Sequence, residues 1–84
     1  MSLPRPFLYL KPGCPWCAEA VEFLQEHGIA YDSVDVYANP EAMAELKRIS
    51  GQAKAPTMLW GEELLADFGA DELEAFLRVR GAVK

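Results

Sequence analysis

The sequence predicts an α/β layer architecture, a mixed four-stranded sheet with helices on both faces, and three observations carry that prediction. Short runs rich in strand formers occur at Phe7–Leu10, residues 31–37, Thr57–Trp60 and Glu63–Ala66. Segments with helical apolar spacing follow the first, second and fourth of these runs. Only Gly61 and Glu62 separate the third run from the fourth, and so short a turn joins antiparallel neighbours. An opening strand-helix-strand unit is instead a right-handed parallel crossover, so the sheet must be mixed.

Each element has its own local cause. Phe7-Leu8-Tyr9-Leu10 is a continuous apolar run, stopped by Pro12 and Gly13, and reads as a buried strand followed by a loop. Pro15 suits the first position of a helix, and Cys17, Val21 and Leu24 recur at helical spacing while Glu19, Glu22 and Glu26 fall on other faces. Gly28 stops that helix. Residues 31–37 alternate Tyr31, Val34, Val36 and Tyr37 with Asp32, Ser33 and Asp35, which suits a half-buried strand. Asn39 caps a second helix, Pro40 opens it, and Ala42, Met43, Leu46 and Ile49 form its apolar stripe. Lys47 and Arg48 sit at its negative C-terminal end, and Gly51 terminates it. Leu73, Phe76 and Leu77 mark a closing helix that starts between Asp67 and Asp71 and ends before Gly81.

Composition bounds what such a domain does. A chain of 84 residues supports one small core, so residues 1–84 are read as a single domain whose ordered part runs from about Pro6 to about Arg80. With 51% hydrophobic and 25% charged residues the chain is too apolar for a disordered protein. Eight Lys and Arg against 13 Asp and Glu give a net charge of −5, so nucleic acid and anionic membranes are not expected partners. No apolar run approaches the roughly 20 residues of a membrane span, and the opening residues lack the apolar stretch of a secretory signal. A cytoplasmic monomer is the expectation.

Cys14 and Cys17 are the only cysteines. The loop they close is too short to staple a fold, so chemistry is the better reason for Cys14-Pro15-Trp16-Cys17. Two thiols three positions apart at a helix start can form a disulfide with little backbone movement. Cys14 falls where backbone amides and the helix dipole favour a thiolate, and Lys11 adds a positive charge nearby, so Cys14 is the expected nucleophile. Cys17, one turn inside the helix, is expected to be more buried, protonated at rest and the resolving thiol. Pro15 stiffens the turn and Trp16 places an aromatic surface beside the sulfur. A half zinc site completed by dimerisation is the main rival, with His27 the only further nitrogen ligand, although His27 reads better as a helix C-terminal residue that interacts with the last carbonyls. Trp60 and Phe76 read as core or hairpin cover, and Glu62, Glu63, Asp71, Glu72 and Glu74 as a solvated face.

The segment Tyr9-Leu10-Lys11-Pro12-Gly13-Cys14-Pro15-Trp16-Cys17 resembles the glutaredoxin pattern Y-x-K-P-G-C-P-Y-C, and Ser50-Gly51-Gln52-Ala53-Lys54-Ala55-Pro56-Thr57 is similar to that family's S-G-Q-x-T-V-P segment. The resemblance runs essentially end to end. It implies a thioredoxin fold with strand order two-one-three-four, a cis peptide before Pro56, and a thiol-disulfide oxidoreductase that uses glutathione as co-substrate without metal or nucleotide. It also implies a glutathione groove beside Cys14: the glycine carboxylate near Lys11, Arg48 or Gln52, the cysteinyl backbone paired with Ala55, and the γ-glutamyl end at the amides opening the last helix, at Phe68, Gly69, Ala70 and Asp71. Pro15, Trp16 and Pro56 would complete the contact surface. Disulfide-containing or glutathionylated proteins are the implied partners. Ala66-Asp67-Phe68-Gly69-Ala70-Asp71 departs from the family's Gly-Gly motif, and the Asp67 carboxylate would repel the γ-glutamyl carboxylate while attracting its ammonium. That departure suits a glutaredoxin-like electron donor reduced by thioredoxin reductase. A dimer holding zinc or an iron-sulfur cluster through Cys14 and glutathione is a further alternative, which Pro15 and Trp16 make less easy to accommodate.

Overall fold

The computed structural model describes residues 5–66 and 68–81. Its elements follow in the order β1 (Phe7–Leu10), α1 (Pro15–Glu26), β2 (Asp32–Asp35), α2 (Pro40–Ser50), β3 (Thr57–Trp60), β4 (Glu63–Ala66) and α3 (Ala70–Val79). The strands form one sheet in the order β2-β1-β3-β4. β1 pairs parallel with β2 and antiparallel with β3, and β3 pairs antiparallel with β4. This is the mixed sheet predicted from the loop lengths, and the thioredoxin fold that the resemblance implied.

Strand alternation divides the core in two. Leu8 and Met58 point to one face, where Ala20 and Leu24 of α1, Leu73 and Leu77 of α3, and Phe68 are buried with them. Phe7, Tyr9, Val34 and Leu59 point to the other face and pack with Val36 and with Leu46, Met43 and Ile49 of α2. Thus β1 is apolar along its whole length because both its faces are covered, whereas the edge strand β2 exposes Asp32, Ser33 and Asp35. Trp60 and Phe76 half-cover the first cluster with ring centroids 6.3 Å apart. The Arg80 guanidinium lies 3.4 Å from the Phe76 centroid and pairs with Glu63, tying the end of α3 to the start of β4.

The caps are those that the sequence signals. Asn39 Oδ1 accepts hydrogen bonds from the Glu41 and Ala42 amides at 3.1 and 3.2 Å, and Pro40 opens α2. Gly51 closes α2 with φ 74°, a left-handed conformation in which a Cβ is strained.

Two expectations need adjustment. The second strand ends at Asp35 rather than at residue 37, because Asp35 Oδ1 accepts from the Tyr37 and Ala38 amides and turns the chain; the Val36 amide still reaches Leu10 O at 2.9 Å. His27 does stand at the C-cap of α1, but its ring packs on Phe23, with centroids 4.3 Å apart, and it is the backbone amide of His27 that bonds the Phe23 carbonyl.

Leu24 is fully buried between the sheet and α3, so Leu24→Ala should destabilise the protein by about 2–5 kcal/mol. Asn39→Ala, which removes the acceptor for two amides, should cost about 1 kcal/mol. Denaturant unfolding followed by circular dichroism measures both, and the ordering of the two losses checks which contact matters more.

Candidate active site

The C-terminal end of β1 delivers the chain to α1 through Lys11, Pro12 and Gly13. Gly13 has φ 72°, which lets the loop reverse before the helix. Cys14 then occupies the N-cap with φ −94° and ψ 112°, and its Sγ accepts the Cys17 amide at 3.2 Å. A sulfur thus fills the role usually taken by a serine or aspartate oxygen. Pro15 sits in the first turn, where its missing N–H costs no helical bond. Cys14 is half-buried, Cys17 is 4% exposed, and both are free thiols. Burial pushes the Cys17 thiol up to about 11, and the hydrogen bond with Cys14 adds to that; the opposing influence of Lys11 is smaller.

The remaining sequence-predicted residues divide into groups around this pair. Ala55 is buried and precedes Pro56 through a cis peptide bond, and its carbonyl lies 3.9 Å from Cys14 Sγ. Lys11 Nζ donates to the Ala53 carbonyl and lies 5.5 Å from the Tyr37 ring centroid, so its ammonium joins the end of β1 to the loop before Pro56. Arg48 and Gln52 are exposed at the C-terminal end of α2 and just beyond it, and Arg48 pairs with Glu45 at 2.6 Å.

Two openings flank the sulfurs. A cavity of about 510 Å³ is bounded by Trp16 and Glu19 of α1, Phe68 and Gly69, and Ala70, Asp71 and Glu72 at the start of α3. Trp16, 57% exposed, forms one wall, while Phe68 is buried in the core beneath. Gly69 offers no side-chain cap, so the first amides of α3 receive no acceptor from it. The second opening is an open groove of about 680 Å³ along α1, lined by Leu10, Lys11, Gly13, Cys14, Pro15, Cys17, Ala18, Val21, Glu22 and Gln25. Cys14, Cys17, Lys11 and Pro15 therefore meet in the groove, and Trp16 with residues 68–71 in the cavity. Asp67 lies outside the described residues.

Glu19, Glu72, Val21 and Glu22 were not singled out for the site from sequence. Glu19 stands one helical turn beyond Trp16, which is the only local signal for it. Among the described residues no three His, Cys, Asp or Glu side chains are grouped so as to hold a metal ion, and no helix is long and apolar enough to cross a membrane. Chemically, the arrangement is an accessible sulfur at a helix start backed by a buried one within reach of it, a dithiol able to cycle through a disulfide.

Comparison with known proteins agrees with this geometry. The family model Glutaredoxin matches residues 7–65. The chain is 39% identical over 62 residues to a glutaredoxin of Neisseria meningitidis serogroup B, covering 73% of each chain. It is 32% identical over 76 residues to a glutaredoxin of Pseudomonas aeruginosa, covering 90% of this chain and 88% of that one. The solution structure of glutaredoxin from Brucella melitensis superposes with a TM-score of 0.70 at 33% identity, covering 96% of this chain and 85% of that chain.

The raised Cys17 thiol has a consequence for stability. Its folded value of about 11 lies above the ordinary 9.0, so between these values the native state holds the proton more tightly than the unfolded chain. That contribution is complete below pH 9 and is lost as pH rises through 11. The melting temperature of the dithiol protein should therefore fall across this range, and Cys17→Ser should flatten the fall. Thermal scans of the two reduced proteins from pH 8 to pH 11 make the comparison.

Proposed function

Because the chain belongs to the glutaredoxin family and is a thiol-disulfide oxidoreductase, we propose that it reduces protein disulfides and glutathione mixed disulfides, with glutathione as its reductant. Cys14 is the attacking sulfur and Cys17 the resolving one. The observation that carries this division is the contrast between the two: Cys14 is reachable at the N-cap and receives the Cys17 amide, whereas Cys17 is buried with its thiol pushed up to about 11. A donor N–H at Sγ stabilises negative charge on sulfur, and a thiol that stays protonated at neutral pH leaves the first attack to its neighbour.

The steps balance. Cys14 Sγ, as thiolate, attacks one sulfur of the substrate disulfide; that S–S bond breaks, a mixed disulfide forms, and the departing thiolate takes a proton. Cys17 gives up its proton and attacks Cys14 Sγ, closing the Cys14–Cys17 disulfide and releasing the second substrate thiol. Two electrons pass to the substrate, and two glutathione thiols restore the dithiol by the reverse exchange, leaving as glutathione disulfide. With a glutathionylated substrate, a second glutathione can replace Cys17 in the resolving step.

The glutathione seat in this reading has Lys11, Gln52 and Ala55 on one side of Cys14, with Arg48 nearby, and residues 68–71 on the other. The uncapped amides opening α3 favour the γ-glutamyl carboxylate there. Trp16 bounds the cavity side of this seat, Pro15 lines the groove with Cys14, and Pro56 follows Ala55 beside the sulfur. Two cysteines in one close pair are the pattern of an intracellular redox or metal site rather than of a secreted disulfide framework, and we place the protein in the cytoplasm as a monomer.

A second reading, reduction by thioredoxin reductase, is favoured by the charges around the site. Glu19, Asp71 and Glu72 give the cavity a negative lining, while Arg48 is paired with Glu45 and the Lys11 ammonium is held by Ala53. Each of these features weakens attraction for a tripeptide carrying two carboxylates.

Coupled assays distinguish the reductants. Turnover is expected with glutathione and glutathione reductase; turnover with thioredoxin reductase alone would overturn the glutathione reading. Cys14→Ser should abolish activity in every assay, whereas Cys17→Ser should lose protein-disulfide reduction and keep glutathione exchange. Equal losses in both variants and both assays would contradict the assigned roles.

A further inference from the structure

We infer that the apolar groove along α1 docks an extended segment of a disulfide-bearing protein partner, with an apolar side chain over Val21 and a basic side chain beside Glu22. The inference rests on the reading of Cys14 as the attacking sulfur and concerns which protein disulfides it takes. The groove begins at the redox pair, since both Cys14 and Cys17 line it, and it continues along Ala18 and Val21. It lies apart from the cavity at the start of α3, with which it shares no lining residue. A partner engaged through a mixed disulfide at Cys14 therefore has chain entering this groove without displacing anything seated in the cavity.

Geometry sets the register. Val21 stands seven positions along the helix from Cys14, a rise of about 10 Å, which an extended peptide of polyproline-II twist covers in about three residues, one full turn that returns the third side chain to the cysteine's side. The third residue from the partner's cysteine thus lies over Ala18 and Val21, and the fourth reaches Glu22. Val21 and Leu10 are half-buried and Ala18 and Pro15 are exposed, so this floor gains from an apolar cover. Glu22 has no ion-pair partner among the described residues, and it stands at the rim beside Gln25, whose amide donates to the Tyr31 hydroxyl at 3.4 Å. A carboxylate in that position selects a cationic side chain.

The chemistry along this route is the same thiol-disulfide exchange: the partner disulfide is reduced to two thiols while Cys14 and Cys17 close to a disulfide. The groove adds binding before that exchange and takes no proton or electron itself.

The test uses the full-length dithiol protein and two synthetic peptides, each a mixed disulfide with mercaptoethanol. One reads Arg-Leu-Ser-Ser-Cys-Ser-Ser-Leu-Arg, and the other has glutamate in place of both arginines; their symmetry removes any dependence on chain direction. The readout is the ratio of second-order rate constants, arginine peptide over glutamate peptide, within each protein variant, so differences in folded fraction cancel. Glu22→Lys should lower this ratio by about threefold or more at low salt, the effect of reversing one exposed charge at close range. Glu62→Lys, an equal change of net charge in the β3–β4 turn, should lower it by less. Changing the peptide leucines to serine should slow the wild-type protein. A ratio that Glu22→Lys leaves unchanged, an equal drop with Glu62→Lys, or indifference to the leucines would each overturn the groove assignment. Failure to reduce any of the peptides would overturn the redox reading, and the docking proposal with it.

Discussion

One contact organises the site: the Cys17 amide donates to the Cys14 sulfur across the first turn of α1. It requires that α1 start at Pro15, that the preceding loop reverse through Gly13, and that β1 end beside the loop carrying Ala55. Sheet order supplies the last condition. With β1 central, between β2 and β3, the chain leaves it at the edge where the turn into β3 also arrives. The accessible sulfur, its buried neighbour and the backbone of Ala55 are therefore assembled by topology, and side-chain identity adjusts what topology has set.

The two faces of the sheet contribute unequally to that assembly. α1 and α3 share the larger apolar cluster, which fixes the sulfur-bearing helix against the sheet and brings Glu19 near Asp71 and Glu72. The opposite face holds α2 alone, with Leu46 as its one buried helical residue. Between the faces, the Lys11 ammonium and the Ala53 carbonyl join the end of β1 to the segment before Pro56, 42 residues away. A residue that charge alone would assign to the reactive sulfur is thus also a structural tie.

What the sequence disclosed was local. Asn39-Pro40 and Gly51 announced both ends of α2, Pro15 announced the start of α1, and the two-residue turn at Gly61-Glu62 fixed the antiparallel pairing of β3 and β4. The Cys14-Cys17 spacing disclosed the chemistry, because a helix places those positions on one turn whatever surrounds them. The cavity and the groove were not legible, since each is formed by elements distant in the chain. Glu19 meets Glu72 only because α1 packs against α3, and Leu10 meets Val21 only because α1 folds back over the strand that precedes it. The end of β2 was misjudged for a similar reason: the Asp35 carboxylate binds two amides ahead of it, a choice that alternation of apolar residues does not encode.

The thin packing beneath α2 has a further consequence. Opening events in a small domain begin where least apolar surface must be uncovered, and α2 contributes one buried side chain, Leu46, where α1 contributes three. Of the helices, α2 is thereby the one whose release uncovers least, while α1 and α3 stay anchored on the better-filled side.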